Sequence, residues 1–375
     1  MSEALRAEAR VDTGAIERNC RRLATSLAPG AELCAVVKAW GYGHGDEGAA
    51  RAALAGGASM LAVAGASEAL RLRQFVADSP ILTMGAVSNA ELGDAIEARS
   101  ELTVWQEPRL EEIAERGVDA GFRPRVHVKY DSGMGRLGER DPESVLALLD
   151  AAAGDERVEL AALWTHFATA DELEGPGSDY FRRQLERFAQ LLGRARRDHT
   201  GLRAHAANSA ATLRDPASHF DMVRCGVAIY GLDPFQSDPA EHELEPALEL
   251  RSYLADVKRF ECGASAGYGR TWAAERETRV GVLPIGYGDG VRRGLSNNAE
   301  VLVGGRRVPL VGTVSMDNVT VDLGPDSGIG PGEEAMLIGR QGEERILCEE
   351  VAARLGTINY EVTCGLTSRV PRTYR

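Results

Sequence analysis

The chain has 375 residues, 44% of them hydrophobic, and a formal net charge of -13. That length supports a sizeable core and two domains. The negative charge argues against nucleic acid or an anionic membrane as a partner, since both would repel it. Cys20, Cys34, Cys225, Cys262, Cys348 and Cys364 are scattered without a C-x-x-C pair, as expected of a reducing compartment. The N-terminus carries no secretion-type apolar run, and no stretch has the length and apolarity to span a bilayer. A cytoplasmic protein without membrane or nucleic-acid partners is expected.

In chain order, residues 1–12 predict an N-terminal strand whose candidate partner is the C-terminal domain. Short apolar runs then predict strands over Leu33–Val37, Met60–Ala64, Pro80–Met84, Leu102–Trp105, Arg125–Tyr130, Leu160–Thr165, Leu202–Ala206 and Met222–Cys225. Helical patterns fall between them, over Glu47–Ala55, Ser67–Val76, Arg109–Ala120, Pro142–Ala153 and Tyr180–Arg197. Such alternation predicts a parallel sheet, because parallel strands need crossovers and helices supply them. An open doubly wound sheet and a closed barrel both fit; eight units match the usual barrel length of about 250 residues. The expected class is therefore α/β: a (β/α)8 TIM-type barrel over 13–237. After Asp238, β-branched runs over Thr278–Pro284, Glu300–Val303, Arg307–Val311 and Val319–Leu323 are separated by Gly, Pro and Asn turns. Helical pattern returns at Glu349–Leu355, so 238–375 reads as a mostly β C-terminal domain.

Two glycine-rich segments bear on function. Gly133-Met134-Gly135-Arg136-Leu137-Gly138 fits G-x-G-x-x-G, the dinucleotide fingerprint. It follows the fifth predicted strand rather than the first, and it leads into Glu139-Arg140-Asp141-Pro142 rather than directly into a helix. A nicotinamide site is not expected there. In Val36-Val37-Lys38-Ala39-Trp40-Gly41-Tyr42-Gly43-His44-Gly45, a lysine ends an apolar strand at the barrel end where active sites lie. A free lysine is protonated at neutral pH, so this position calls for imine chemistry or a depressed pKa. A surface lysine capping a strand is the plainer alternative.

With this segment the chain resembles the alanine racemase family, and the resemblance continues in order. Matching blocks are Val126–Gly138, Thr165–Phe167, His205–Ala210, Met222–Pro234, Gly267–Trp272, Leu283–Gly290, Gly312–Asp317 and Ile358–Glu361. The family pattern implies a pyridoxal-phosphate-binding barrel followed by a β domain. Lys38 would carry the cofactor and serve one face of the substrate; Tyr268 would serve the other. Inversion needs two such bases, since a proton leaves one side and returns from the opposite one. The resemblance also implies that Arg224 meets the pyridine nitrogen, with His166 in the network behind it and His205 supporting Arg224. Asn208, Ser209, Gly226, Val227, Tyr42 and Tyr360 would hold the cofactor, chiefly its phosphate. Arg136 and the backbone N–H of Met316 would hold the substrate carboxylate.

The family lysine matched by Lys129 is carbamylated in many members; an ion pair with Asp131 is the alternative reading. Tyr287, Asp317 and Arg292 match entrance residues, the latter two being equally readable as loop charges. A homodimer sharing Tyr268 across its interface is implied, and the implied role is D-alanine supply for peptidoglycan. A racemase of another amino acid, such as serine or lysine, is the alternative. Departures are the missing W-x-E-I-D near the start, Trp40 in place of Asn or Asp, and Tyr130 and Ser132 in the fifth-strand block.

Overall fold

The computed structural model describes residues 5–326 and 328–375. The chain divides into two compact units, one spanning Ile16–Phe235 and one combining the residues up to Ala15 with Gln236–Arg375.

The first unit is a closed parallel barrel of eight strands. With β1 assigned to Ala7–Val11, these are β2 (Glu32–Val36), β3 (Met60–Val63), β4 (Ile81–Thr83), β5 (Glu101–Val104), β6 (Arg125–Lys129), β7 (Glu159–Trp164), β8 (Arg203–His205) and β9 (Met222–Cys225). Each pairs with the next, and β9 closes on β2 with Cys34 opposite Arg224. The barrel is thus the one of the two expected architectures that forms. Every residue of β3, β4, β5 and β9 is buried, as a parallel sheet requires when helices cover one face and packed side chains fill the other. The helices show the complementary stripe. Glu107–Asp119 buries Leu110, Ile113, Ala114 and Gly117, a spacing that lies on one helical face. Its first turn carries Pro108, where a missing N–H costs nothing. Helix Pro142–Gly154 starts at Asp141, whose carboxylate accepts from Ser144 N at 2.9 Å.

Among the barrel helices, Thr13–Ser26, capped by Asp12, and Leu92–Glu97 lie outside the periodic pattern read above. The second is only six residues long and contains Gly93, too short and too weak a helix former to announce itself.

The second unit is a ten-stranded sheet of mainly antiparallel pairs. β1 pairs antiparallel with Leu248–Tyr253 and parallel with Arg372–Tyr374. Strands Ala7–Val11, Leu248–Tyr253 and Val319–Gly324 alternate buried and half-buried residues, the pattern of a sheet with one packed face. Asp289, fully buried, accepts two bonds from Arg6 and a third from Gly286 N. Arg369 adds an ion pair at 3.2 Å. This clamp pins the loop 284–290 to the start of β1. Burial pushes the Asp289 carboxyl up, but Arg6, the Gly286 amide and Arg369 together bring it below the usual range. The texture-based strands named above leave out Leu248–Tyr253, Asp256–Phe260, Glu334–Gln341 and Arg372–Tyr374; the second of these is mostly charged and has no fully buried residue. Among the described residues no helix is long and apolar enough to cross a membrane.

Candidate active site

Lys38 lies just beyond β2, at the carboxyl end of the barrel, and opens a single short turn over Lys38–Tyr42. Ala39, Trp40, Gly41 and Tyr42 all have positive φ, between 51° and 60°. A left-handed turn costs roughly 1–2 kcal/mol for each non-glycine residue, so the surroundings must hold it. His44 is fully buried; its Nδ1 lies 3.1 Å from the carbonyls of Gly41 and Tyr42, and its ring stacks on Tyr230. Gly43 N and Gly45 N return to Trp40 O, and Glu68 accepts from Ala39 N at 2.7 Å. Backbone strain of this kind is often concentrated at functional sites.

Arg224, on β9, is buried beneath this turn, and its Nη1 donates to His205 Nδ1 at 2.7 Å. Its Nη2 reaches Thr165 O, Ala206 O and His166 Nδ1 at 2.9, 3.0 and 3.2 Å. Burial pushes the guanidinium down to about 10, which still leaves it cationic at neutral pH. Burial and the Arg224 charge hold both His166 and His205 well below the usual histidine range, so both are neutral near pH 7.

A polar cluster forms two residues beyond Arg224, around Gly226. Ser209 starts the helix Ser209–Arg214, and its hydroxyl accepts from Gly226 N and Ala228 N at 3.0 and 3.3 Å. A Cβ on Gly226 would stand 2.3 Å from the Tyr42 hydroxyl, so only glycine permits that approach. Tyr42, Ser209 and Gly226 therefore converge, with Val227 next in the chain. Asn208 caps the helix, with Oδ1 accepting from Ala211 N at 3.0 Å.

Lys129, at the end of β6, is buried with its Nζ 3.2 Å from the Trp164 ring centroid. Burial, then the charges of Arg224 and Arg136, push it down to about 6. The alternative pairing with Asp131 does not form among the described residues. The Asp131 carboxylate turns instead to the amides of Gly133 and Gly135 at 3.0 Å. The same bonds close the G-x-G-x-x-G loop on its own carboxylate, leaving these amides turned away from any phosphate. Arg136 is exposed on that loop, near enough to act electrostatically on Lys129 and His166, as does Lys38.

In the β unit, Tyr268, Tyr287 and Met316 are among the exposed large side chains. Three loops carrying them interlock: Thr313 Oγ1 donates to Tyr268 O at 2.8 Å, Tyr287 N to Ser315 O at 3.0 Å, and Gly288 N to Met316 O at 2.9 Å. Asp317 pairs with Arg369 at 2.6 Å. Arg292 is exposed beside Gly365, and Tyr360 lies in the first turn of Asn359–Cys364. Sequence reasoning passed over Glu101, Trp164 and the clamping role of His44. Glu101 falls one residue before the strand predicted over Leu102–Trp105 and joins it only in the structure, so nothing in the sequence marked it.

Together these features define an α/β-barrel protein with lysine, histidine and arginine side chains gathered toward the carboxyl ends of its strands, carrying a separate β unit. Two family models match the chain: the alanine racemase N-terminal domain over residues 11–234 and the C-terminal domain over 247–374. The chain is 41% identical over 371 residues to alanine racemase 1 of Bacillus subtilis, covering 98% of this chain and 92% of that one. It is 42% identical over 372 residues to the alanine racemase of Geobacillus stearothermophilus, with the same coverage. Among solved structures, the alanine racemase from D-cycloserine-producing Streptomyces lavendulae superposes with a TM-score of 0.93 at 36% identity, covering 100% of this chain and 98% of the other. The Bacillus anthracis alanine racemase with bound L-Ala-P gives 0.90 at 37%, covering 100% and 96%. The chain belongs to the alanine racemase family and is an isomerase.

Proposed function

We propose that this protein interconverts L-alanine and D-alanine with pyridoxal 5'-phosphate as cofactor, by a two-base mechanism in a homodimer, and that it supplies D-alanine for peptidoglycan in the cytoplasm. The observation that carries this reading is Arg224, a buried cation held by four acceptors beside a donor cradle at the lysine end of the barrel. The residues fit the cofactor. Tyr42, Ser209 and the Gly226 and Val227 amides suit a phosphate, and the close approach of Tyr42 to Gly226 leaves no room for a Cβ. Lys38 suits a covalent tether, and Tyr360 would add a hydroxyl to the phosphate. When bound, pyridoxal phosphate supplies an electron sink that weakens the bond to the substrate's α hydrogen.

Arg224 donates without accepting, so facing the ring nitrogen it would leave that nitrogen unprotonated and would limit how much charge the bound cofactor draws from the α carbon. That limit favours returning the proton over side reactions such as transamination. Lys38 Nζ takes or returns the α proton on one face; the phenol of Tyr268 of the partner subunit does so on the other. Neutral His166, 3.2 Å from the Arg224 guanidinium through Nδ1, would link that cation to the phenol. Arg136 and the Met316 amide orient the substrate carboxylate, while Tyr287, Asp317 and Arg292 line the approach.

The deciding experiment is chiral chromatography of L-alanine, L-serine and L-lysine incubated with the purified protein and pyridoxal phosphate. D-alanine forming fastest supports the reading. D-serine or D-lysine in its place would reassign the substrate. A protein that takes up no pyridoxal phosphate would overturn the assignment.

Two further results are expected. Gly226→Ala forces the Tyr42 hydroxyl aside and weakens pyridoxal-phosphate affinity on the order of ten-fold or more, about 1.4 kcal/mol; absorbance titration of the stripped protein measures it. Lys129, pushed down to about 6, presents a neutral amine above that pH, which is the form that attacks carbon dioxide. With carbon-13 bicarbonate, a carbamate resonance should therefore grow as pH rises through about 6, and be missing in Lys129→Ala. A wild-type spectrum without it at about pH 8, well above the pKa of that amine, would remove the modification from the site.

A further inference from the structure

A polar chain runs down the barrel interior from Arg224 toward the opposite end. Arg224 Nη1 meets His205 Nδ1 at 2.7 Å, His205 Nε2 meets His127 Nδ1 at 2.8 Å, and His127 Nε2 meets Glu101 Oε2 at 2.6 Å. All four side chains are at least nine-tenths buried. At the floor, Arg125 closes the chain with Nε 3.3 Å from the other Glu101 oxygen, and is itself partly exposed.

The direction of every proton in this chain follows from its first member. A guanidinium donates and does not accept, so His205 Nδ1 is an acceptor. His205 is neutral, so its one proton lies on Nε2 and is donated to His127 Nδ1. His127 then carries its proton on Nε2, aimed at Glu101, an ionised acceptor. Burial pushes the Glu101 carboxyl up, but His127, Arg125 and Arg203 bring it below its usual value. The result is a one-way series of three donated bonds, with a cation at the upper end and an anion at the lower.

Barrel interiors are usually filled by branched apolar residues, and burying charge this deeply carries a desolvation cost. Among the described residues no carboxylate pairs with Arg224; its other partners are carbonyls and His166. The nearest carboxylate along its hydrogen bonds is Glu101, two imidazoles away. Those bonds engage Nη1 and Nη2 and leave Nε out of the set.

Building on the cofactor reading above, we propose that Glu101 and His127 are positioning residues for Arg224: acting through His205, they supply its counter-charge from the barrel floor and fix the edge of the guanidinium, so that Nε–H faces the cofactor ring nitrogen. Lys129, Trp164 and Arg203 frame the same chain. Trp164 stacks on His205 at 5.3 Å, which resists rotation of that imidazole.

The test has two parts. Nitrogen-15 histidine spectra of the full-length protein stripped of cofactor should show His205 and His127 both neutral and protonated on Nε2. Assignment of either as the Nδ1–H form or as a cation would overturn the proposal, whatever the enzyme's substrate. In the loaded protein, Glu101→Gln keeps an acceptor for His127 but removes the charge, and His127→Phe cuts the chain. Both should lower kcat on the order of ten-fold with KM nearly unchanged, and shift the cofactor absorption band. His127→Gln, which can still accept from His205, should retain more activity than His127→Phe. Wild-type kcat and absorption in both Glu101→Gln and His127→Phe would overturn the positioning role. Failure of the protein to take up pyridoxal phosphate would instead strike the cofactor reading, and the spectra of the stripped protein would still decide the proton order along the chain.

Discussion

Tyr268→Phe is expected to lower racemisation by about 10²–10⁴-fold, the usual contribution of a positioned acid or base, with the cofactor spectrum and affinity close to wild type. Tyr268 is 73% exposed in the single chain, an unusual setting for an aromatic side chain on an interlocked set of ordered loops. Its backbone carbonyl is fixed by Thr313, so losing the hydroxyl should leave the loop intact and, on the proposed role, remove proton transfer alone. The two directions should also separate. Exchange of the α hydrogen with deuterated solvent should persist for the enantiomer deprotonated by Lys38 and collapse for the other. Wild-type turnover in both directions would remove Tyr268 from the chemistry.

Lys38→Ala is expected to abolish racemisation and the yellow colour of the bound cofactor together. Lys38 is the only lysine in the segment whose backbone is held in the left-handed turn, and the buried Lys129 faces the Trp164 ring instead. Lys129 is near enough to feel the Lys38 charge, but its amine is engaged by that ring contact. The two variants also test the shared site. Dimers assembled from equal amounts of Lys38→Ala and Tyr268→Phe chains should regain about a quarter of wild-type activity, because half the dimers are mixed and one of their two sites is intact. No recovery from demonstrably mixed dimers would place both residues in one chain's site.

The two expected losses differ in kind because the residues rest on different supports. Lys38 follows a buried strand and a clamped turn, in which His44 and Glu68 hold carbonyl and amide groups. Tyr268 depends on loop-to-loop bonds within the β unit. Variants of His44 should therefore disturb cofactor capture, whereas variants of Thr313 should disturb proton return.

Sequence alone determined what is local or periodic. Eight apolar runs separated by helical stripes predicted a parallel sheet, and the change to turn-punctuated β-branched runs predicted the β texture that follows. Lys38 was legible because a lysine between an apolar strand and a glycine-rich loop is a chemical anomaly in one short segment. Arg224, His166 and Ser209 were legible only through family resemblance, since a strand-end arginine or histidine has no local signature. Tertiary structure decided the rest. Barrel closure brings Glu101 to His127 across 26 positions, His127 to His205 across 78, and His205 to Arg224 across 19. No residue of that chain reveals its partner in the pattern of its neighbours. The left-handed turn after Lys38 was likewise hidden: Ala39 and Trp40 disfavour positive φ, and the conformation persists because His44, Glu68 and Tyr230 bind it from outside. Periodicity records which side of an element is buried; which buried groups meet is decided when the sheet closes.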